Sequence, residues 1–213
     1  MKRIVALMLA VMLLTACAKT PDPTDPSTET TTTPTENTTE ASTQPTETTQ
    51  SPEAQHRNPL TGEPVDAPIM ERPYAVVMNN IYDAQPMHGV GQADIFYEYM
   101  VDCLSGGITR CLALFTDVGQ VEKIGSIRSA RTYNISLARS YQALFAHAGG
   151  STMADRLLKS GVVNDLDAGR ASSQIFYRDR NRLNSGYALE HTMFTSGEKM
   201  KEYAQQLGYH ASL

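Results

Sequence analysis

From Ala18 to Arg57 the chain contains no leucine, isoleucine, valine, methionine or aromatic side chain. Such a segment has nothing to bury, while ordering it costs about 1–2 kcal/mol of backbone entropy per residue. With 14 Thr, 6 Pro and 7 acidic residues, it is expected to be a disordered, self-repelling tether. All 5 Phe and 10 Tyr fall between Tyr74 and Tyr209, so residues 58–213 are expected to form a single domain. That length buries a sizeable core without disulfide staples. The same stretch carries 14 basic and 16 acidic residues, a balance that gives no support to nucleic-acid binding through a broad positive field.

The first residues carry an address. Lys2 and Arg3 precede the apolar run Ile4 to Leu14, which is too short for a helix that must supply roughly 20 residues to cross a bilayer. A charged start, a short apolar run and small residues before a cysteine are the marks of a secretory signal. Leu14-Thr15-Ala16-Cys17 resembles the lipobox of bacterial lipoproteins. The resemblance implies that residues 1–16 are removed as a signal peptide and that Cys17 is lipidated. Residues 17–57 would then be a linker on the outer face of the bacterial cell membrane, with the membrane itself as a partner through Cys17.

Within residues 58–213, strands and helices interleave. Tyr74 to Met78 is an apolar run that begins after Pro73 and ends at Asn79-Asn80, as a buried strand does. Asp94 to Cys103 and Ile108 to Phe115 are strand candidates around a Gly-Gly turn. A hairpin with Cys103 facing Thr109 puts Asp102 opposite Arg110, Met100 opposite Leu112 and Cys111 opposite Val101. With Cys17 committed to lipid, that register favours two separate buried thiols at Cys103 and Cys111 over a disulfide. Lys123 to Arg128 reads as a short edge segment. Ile135, Ala138 and Tyr141 predict a helix that packs on a sheet, and Leu144 to Ala148 a buried strand. Ser151 is placed to cap a helix ending near Gly161. Gln174 to Arg178 reads as a short strand. Thr195 and Glu198 have capping-box spacing ahead of a helix whose face is Met200, Tyr203, Ala204 and Leu207. The class expected is α/β or mixed α+β, with helices packed on a central mixed sheet.

Several strings occur in order: RPYAVVMNN at 72–80, QADIFYEYMVD at 92–102, GGITRCLALF at 106–115, KIGSIRSAR at 123–131, FAHAGGS at 145–151 and Gln174 to Asp179. Together they resemble the amino-terminal domain of the YerB-like bacterial lipoprotein family, whose function is unknown. The resemblance implies a secreted, membrane-anchored protein of mostly Gram-positive bacteria, and brings no catalytic residues with it. Family members usually continue into a carboxy-terminal domain, so it also implies that a following domain is missing from residues 58–213. Cys103-Leu104-Ser105 looks like an insertion relative to the family pattern.

Two polar constellations carry the chemistry. Arg128 and Arg131 stand ahead of a predicted helix, whose amino-terminal end favours acids over cations. A bound anion, or internal carboxylates such as Asp94, Glu98 or Asp179, would explain them. Guanidinium forks match phosphate and carboxylate oxygens. Gly149, Gly150 and Ser151 form a strand-to-helix turn that can aim N–H groups at an anion. The expectation is one pocket, with Arg128 and Arg131 holding an anion aided by the N–H groups of Gly150 and Ser151. For catalysis, His147 near Ser151, or an acidic residue such as Glu98 or Asp179, would serve as base. The histidines at 56, 88, 147, 191 and 210 include no pair at helical spacing, so no metal and no cofactor is expected. Three readings follow: a binding or interaction module for an anionic envelope ligand or an envelope protein, a hydrolase acting on envelope material, and a structural envelope component.

Overall fold

The computed structural model describes residues 56–102 and 106–212, with backbone only at Asp102. The signal segment, Cys17, the linker through residue 55, and Cys103 to Ser105 lie outside the described residues. Two short strands, β1 (His56–Arg57) and β2 (Pro64–Val65), pair antiparallel and close a loop in which the Asn58 Oδ1 accepts the Leu60 N–H at 2.8 Å. The ordered fold therefore includes two residues assigned to the tether from composition alone.

The remaining elements run β3 (Tyr74–Asn79), β4 (Ile95–Asp102), β5 (Ile108–Phe115), β6 (Ile124–Gly125), α1 (Thr132–Ser140), β7 (Leu144–His147) and α2 (Thr152–Lys159). They continue with β8 (Asp165–Asp167), β9 (Tyr177–Arg178), α3 (Arg180–Asn184), β10 (Met193–Thr195) and α4 (Gly197–Gln206). The central sheet has the order β4-β5-β3-β7-β8; its first two pairings are antiparallel and its last two parallel. A second, three-stranded sheet has the order β6-β10-β9. The architecture is mixed α+β around a central mixed sheet.

Alternation divides the central sheet into two apolar faces. Tyr74, Val76 and Met78 join Cys111, Ala113 and Phe115 on the face that packs with Met200 and Tyr203 of α4. Ala75 and Val77 join Leu112 and Leu114 on the face covered by Ile135 and Ala138 of α1 and Ala154 of α2. Every residue of β3 is buried, which suits a strand covered on both sides.

The β4–β5 hairpin departs from the predicted register by three residues: Met100 faces Thr109, Tyr99 faces Arg110 and Glu98 faces Cys111. An odd shift exchanges the faces of a strand. The observed register puts Tyr97 and Tyr99 with Leu112 and Leu114 on the helix-covered face, and burying two aromatic rings outweighs one solvent-exposed charge pair. An irregularity between Met100 and Asp102 takes up the slack. Cys111 is a free, buried thiol, pushed up to about 12 by burial and then by the Glu98 charge. The α4 cap also moves by one residue. Ser196 Oγ accepts the Lys199 N–H at 3.4 Å, because Thr195 ends β10 and donates its hydroxyl to the Ile175 carbonyl at 2.7 Å.

One irregularity positions the candidate site. β3 and β7 pair only through Tyr74–Val76 and Leu144–Ala146, then part at their carboxyl ends. Residues 126–130 fill the gap. On one side, Asn79 N–H donates to Ser126 and Arg128 N–H to Val77, at 3.0 and 2.9 Å. On the other, Ala148 N–H donates to Arg128 and Ala130 N–H to Gly149, at 3.0 and 2.8 Å. Arg128 and Arg131 thus stand at the carboxyl ends of diverging parallel strands, the end at which open α/β sheets bind ligands.

Candidate functional site

Three arginines meet at the amino-terminal end of α1. Arg110 projects from β5 on the helix-covered face, in the cross-strand row Tyr99–Arg110–Asn79. It is only 5% exposed, and its Nη1 donates to the Ser129 carbonyl at 3.0 Å, which fixes the side chain against the 128–131 segment. Its Nε meets no acceptor. Burial first, and then the neighbouring Arg128 and Arg131 charges, push the Arg110 guanidinium down to about 10. Among the described residues, the buried side-chain polar atoms lacking a partner are Arg110 Nε, Arg128 Nε and Ser126 Oγ. All three lie in β5 and in the segment wedged between β3 and β7. Leaving such a group unsatisfied costs about 1–3 kcal/mol each, and more when it is charged.

Arg128 pairs with Glu190, Nη2 to Oε2 at 3.0 Å, rather than with Asp94, Glu98 or Asp179. Arg131 donates Nη1 to the neighbouring Ala130 carbonyl at 2.9 Å and has no carboxylate partner among the described residues. Its backbone N–H donates to Asn134 Oδ1 at 2.9 Å, and the Asn134 amide donates to the Tyr99 hydroxyl at 2.9 Å, so the first turn of α1 is tied to β4. The predicted acidic partners are engaged elsewhere. Asp94 accepts from Thr116 and Asn58, and the exposed Glu98 accepts from Asn80 at 2.7 Å. Asp179 caps α3 and binds Lys123 at 2.5 Å. Burial alone would raise the Asp179 carboxyl, but hydrogen bonds led by that from Lys123 hold it below its ordinary value. Glu98 lies on the central sheet and Asp179 leads into α3, and the two share no partner.

The Gly149-Gly150 turn lies alongside the arginine segment through the backbone, yet the two open onto different clefts. Arg128, Ala148, Arg178 and Glu190 line one of about 410 Å³. His147, Gly149, Gly150, Asp155 and Asp167 line another of about 360 Å³. The Ser151 N–H is committed to the Ala130 carbonyl at 3.2 Å, and its hydroxyl caps α2 by accepting the Ala154 N–H at 3.3 Å. The Gly149 N–H lies 3.3 Å from Asp167 Oδ1. These contacts occupy the donors and the hydroxyl that the turn would offer an anion at Gly149 and Ser151.

His147 is 1% exposed, with Nδ1 2.9 Å from the Gly149 carbonyl and Nε2 3.0 Å from Asp165 Oδ2. Both ring nitrogens face acceptors and neither faces Ser151. Arg170 also binds Asp165. Burial would raise the Asp165 carboxyl, but the hydrogen bonds from His147 and Arg170 outweigh it and hold the group low. Among the described residues, no three His, Cys, Asp or Glu side chains gather as a metal site.

Sequence reasoning missed Arg110 and Glu190. The signal for Arg110 was an arginine within Ile108 to Phe115, an otherwise apolar strand, but pairing it with Asp102 explained it away. Glu190, weighed beside His191 only as a metal ligand that no spacing supports, carried no signal as a partner of Arg128, because 62 residues of chain separate the two.

Residues 60–210 match a family model described as the N-terminal domain of a protein of unknown function, DUF3048. YerB of Bacillus subtilis (strain 168), named as a candidate lipoprotein, is 35% identical over 153 residues, covering 71% of this chain and 43% of YerB. A crystal structure of YerB from Bacillus subtilis matches with a TM-score of 0.66 at 32% identity, covering 73% of this chain and 51% of that one. The chain spans about half the length of these relatives.

Proposed function

The chain belongs to the YerB-like bacterial lipoprotein family through its DUF3048 N-terminal domain, and we propose that this domain is an envelope module that binds an anionic ligand at Arg110, Arg128 and Arg131. The observation that carries this reading is the buried Arg110, whose Nε has no acceptor and whose charged neighbours are two further arginines. A fold that keeps such a group gives up stability unless something outside the chain satisfies it. A purely structural role would favour closure of all three guanidinium groups by carboxylates, and Glu190 closes one. A hydrolase built on His147 draws less support, since both its ring nitrogens and the Ser151 hydroxyl are engaged within the fold.

The reading includes lipid attachment at Cys17 and display of residues 58–213 on the outer face of the membrane. In the expressed full chain, incorporation of labelled palmitate is expected and is lost in Cys17→Ala; equal labelling in both excludes the anchor. For the site, sulfate is expected to raise the thermal unfolding midpoint above that in chloride of equal ionic strength, since a ligand bound only by the folded state stabilises it. The increment falls in Arg131→Gln to the general stabilisation that sulfate gives any folded protein. An identical increment in wild type and variant excludes Arg131 as a contact.

A further inference from the structure

The charges at this site can be counted residue by residue. Arg128 is neutralised by Glu190. Arg110 and Arg131 have no carboxylate partner among the described residues, and Arg110 is almost wholly removed from water. The two uncompensated guanidinium groups stand at the amino-terminal end of α1, a helix of 9 residues, whose dipole adds a further fraction of positive charge. A monoanion would leave about one positive charge of the pair unmatched, beside a guanidinium held out of water. A group carrying two negative charges balances the pair and offers oxygens to both forks.

We propose that the ligand's anionic group is a phosphate monoester or inorganic phosphate, a doubly charged tetrahedral group, and that a phosphodiester or a carboxylate is a poor substitute. This rests on the anion-binding reading and narrows it to a chemical class. The bond from Arg110 Nη1 to Ser129 holds that guanidinium against the 128–131 segment, and its buried Nε has no acceptor among the described residues. Arg131, half-buried at the helix start, supplies the second fork. Tyr133, 38% exposed and edge-on to Tyr99 at 4.9 Å between ring centres, is the aromatic rim beside them, available to whatever the phosphate is attached to.

The test is calorimetric titration of the full chain at about pH 8, where a phosphate monoester carries nearly two charges. Methyl phosphate, inorganic phosphate, dimethyl phosphate and acetate are the probes. Methyl phosphate is expected to bind about tenfold or more tightly than dimethyl phosphate or acetate, the worth of one charge-assisted hydrogen bond. Arg131→Gln, a change at the partly exposed member of the pair, is expected to remove that preference. A tighter complex with methyl phosphate than with inorganic phosphate assigns an organic monoester, and the reverse assigns free phosphate. Sedimentation with vesicles containing phosphatidate, but not with vesicles of phosphatidylglycerol, assigns a lipid monoester. Equal binding of methyl and dimethyl phosphate, weakened equally in Arg131→Gln, overturns the doubly charged group and leaves the anion site standing. Absence of binding by every probe, or binding indifferent to Arg131→Gln, overturns both.

Discussion

Arg110 carries a charge into a strand whose neighbouring positions are Cys111 and Leu112, both fully buried. Its one side-chain hydrogen bond among the described residues, to Ser129, does not satisfy a guanidinium with five donors. If that deficit is kept for a ligand, removing the group should not harm the empty fold. Arg110→Met, similar in length and apolar, is therefore expected to leave stability in urea unchanged or raised by up to about 3 kcal/mol, while reducing the response to sulfate to the general salt effect. A loss of more than about 2 kcal/mol would instead make Arg110 a structural strut. At this scale the sequence was informative about Arg128 and Arg131, because cations ahead of a helix oppose its dipole. It was silent about which carboxylate would answer them. Arg110 was hidden by an expected partner, Asp102, which the register pairs with Ile108 instead.

Elements were legible wherever apolar periodicity or a cap marked them. β7 and the Ser151 cap of α2 lie where the pattern places them. β8 did not announce itself, since Asp165-Leu166-Asp167 has two acids in three residues and is buried only because His147 and Arg170 bind Asp165. β6 and β10 are similarly short, and their pairing is visible only in three dimensions. The start of α4 offers an element-scale prediction. A methyl group on Gly197 would lie 1.6 Å from the Val118 carbonyl oxygen, a backbone atom with no rotamer to change. Gly197→Ala is expected to cost about 3 kcal/mol, read as a lower midpoint in urea denaturation with an unchanged slope. An exposed-site effect below about 0.5 kcal/mol would show that α4 does not press on the Val118 loop as described.

At the scale of the molecule, the absence of core-forming residues from 18 to 57 places the expected start of the domain at residue 58, and the β1–β2 pair moves the start of the described fold to His56. The class of fold followed from interleaved strand and helix signals. The topology did not, because the placement of residues 126–130 between two diverging strands depends on backbone bonds to both of them. That wedge turns two weak sequence signals, an arginine pair and an arginine inside a strand, into one cluster of positive charge. The central claim is that an anion completes it. Anomalous diffraction from crystals equilibrated with selenate, a dianion shaped like phosphate, addresses this most directly. The account predicts a selenium peak within hydrogen-bond distance of Arg110 Nε and the Arg131 guanidinium; ordered selenate found only elsewhere, with Arg110 Nε still unpartnered, would contradict it.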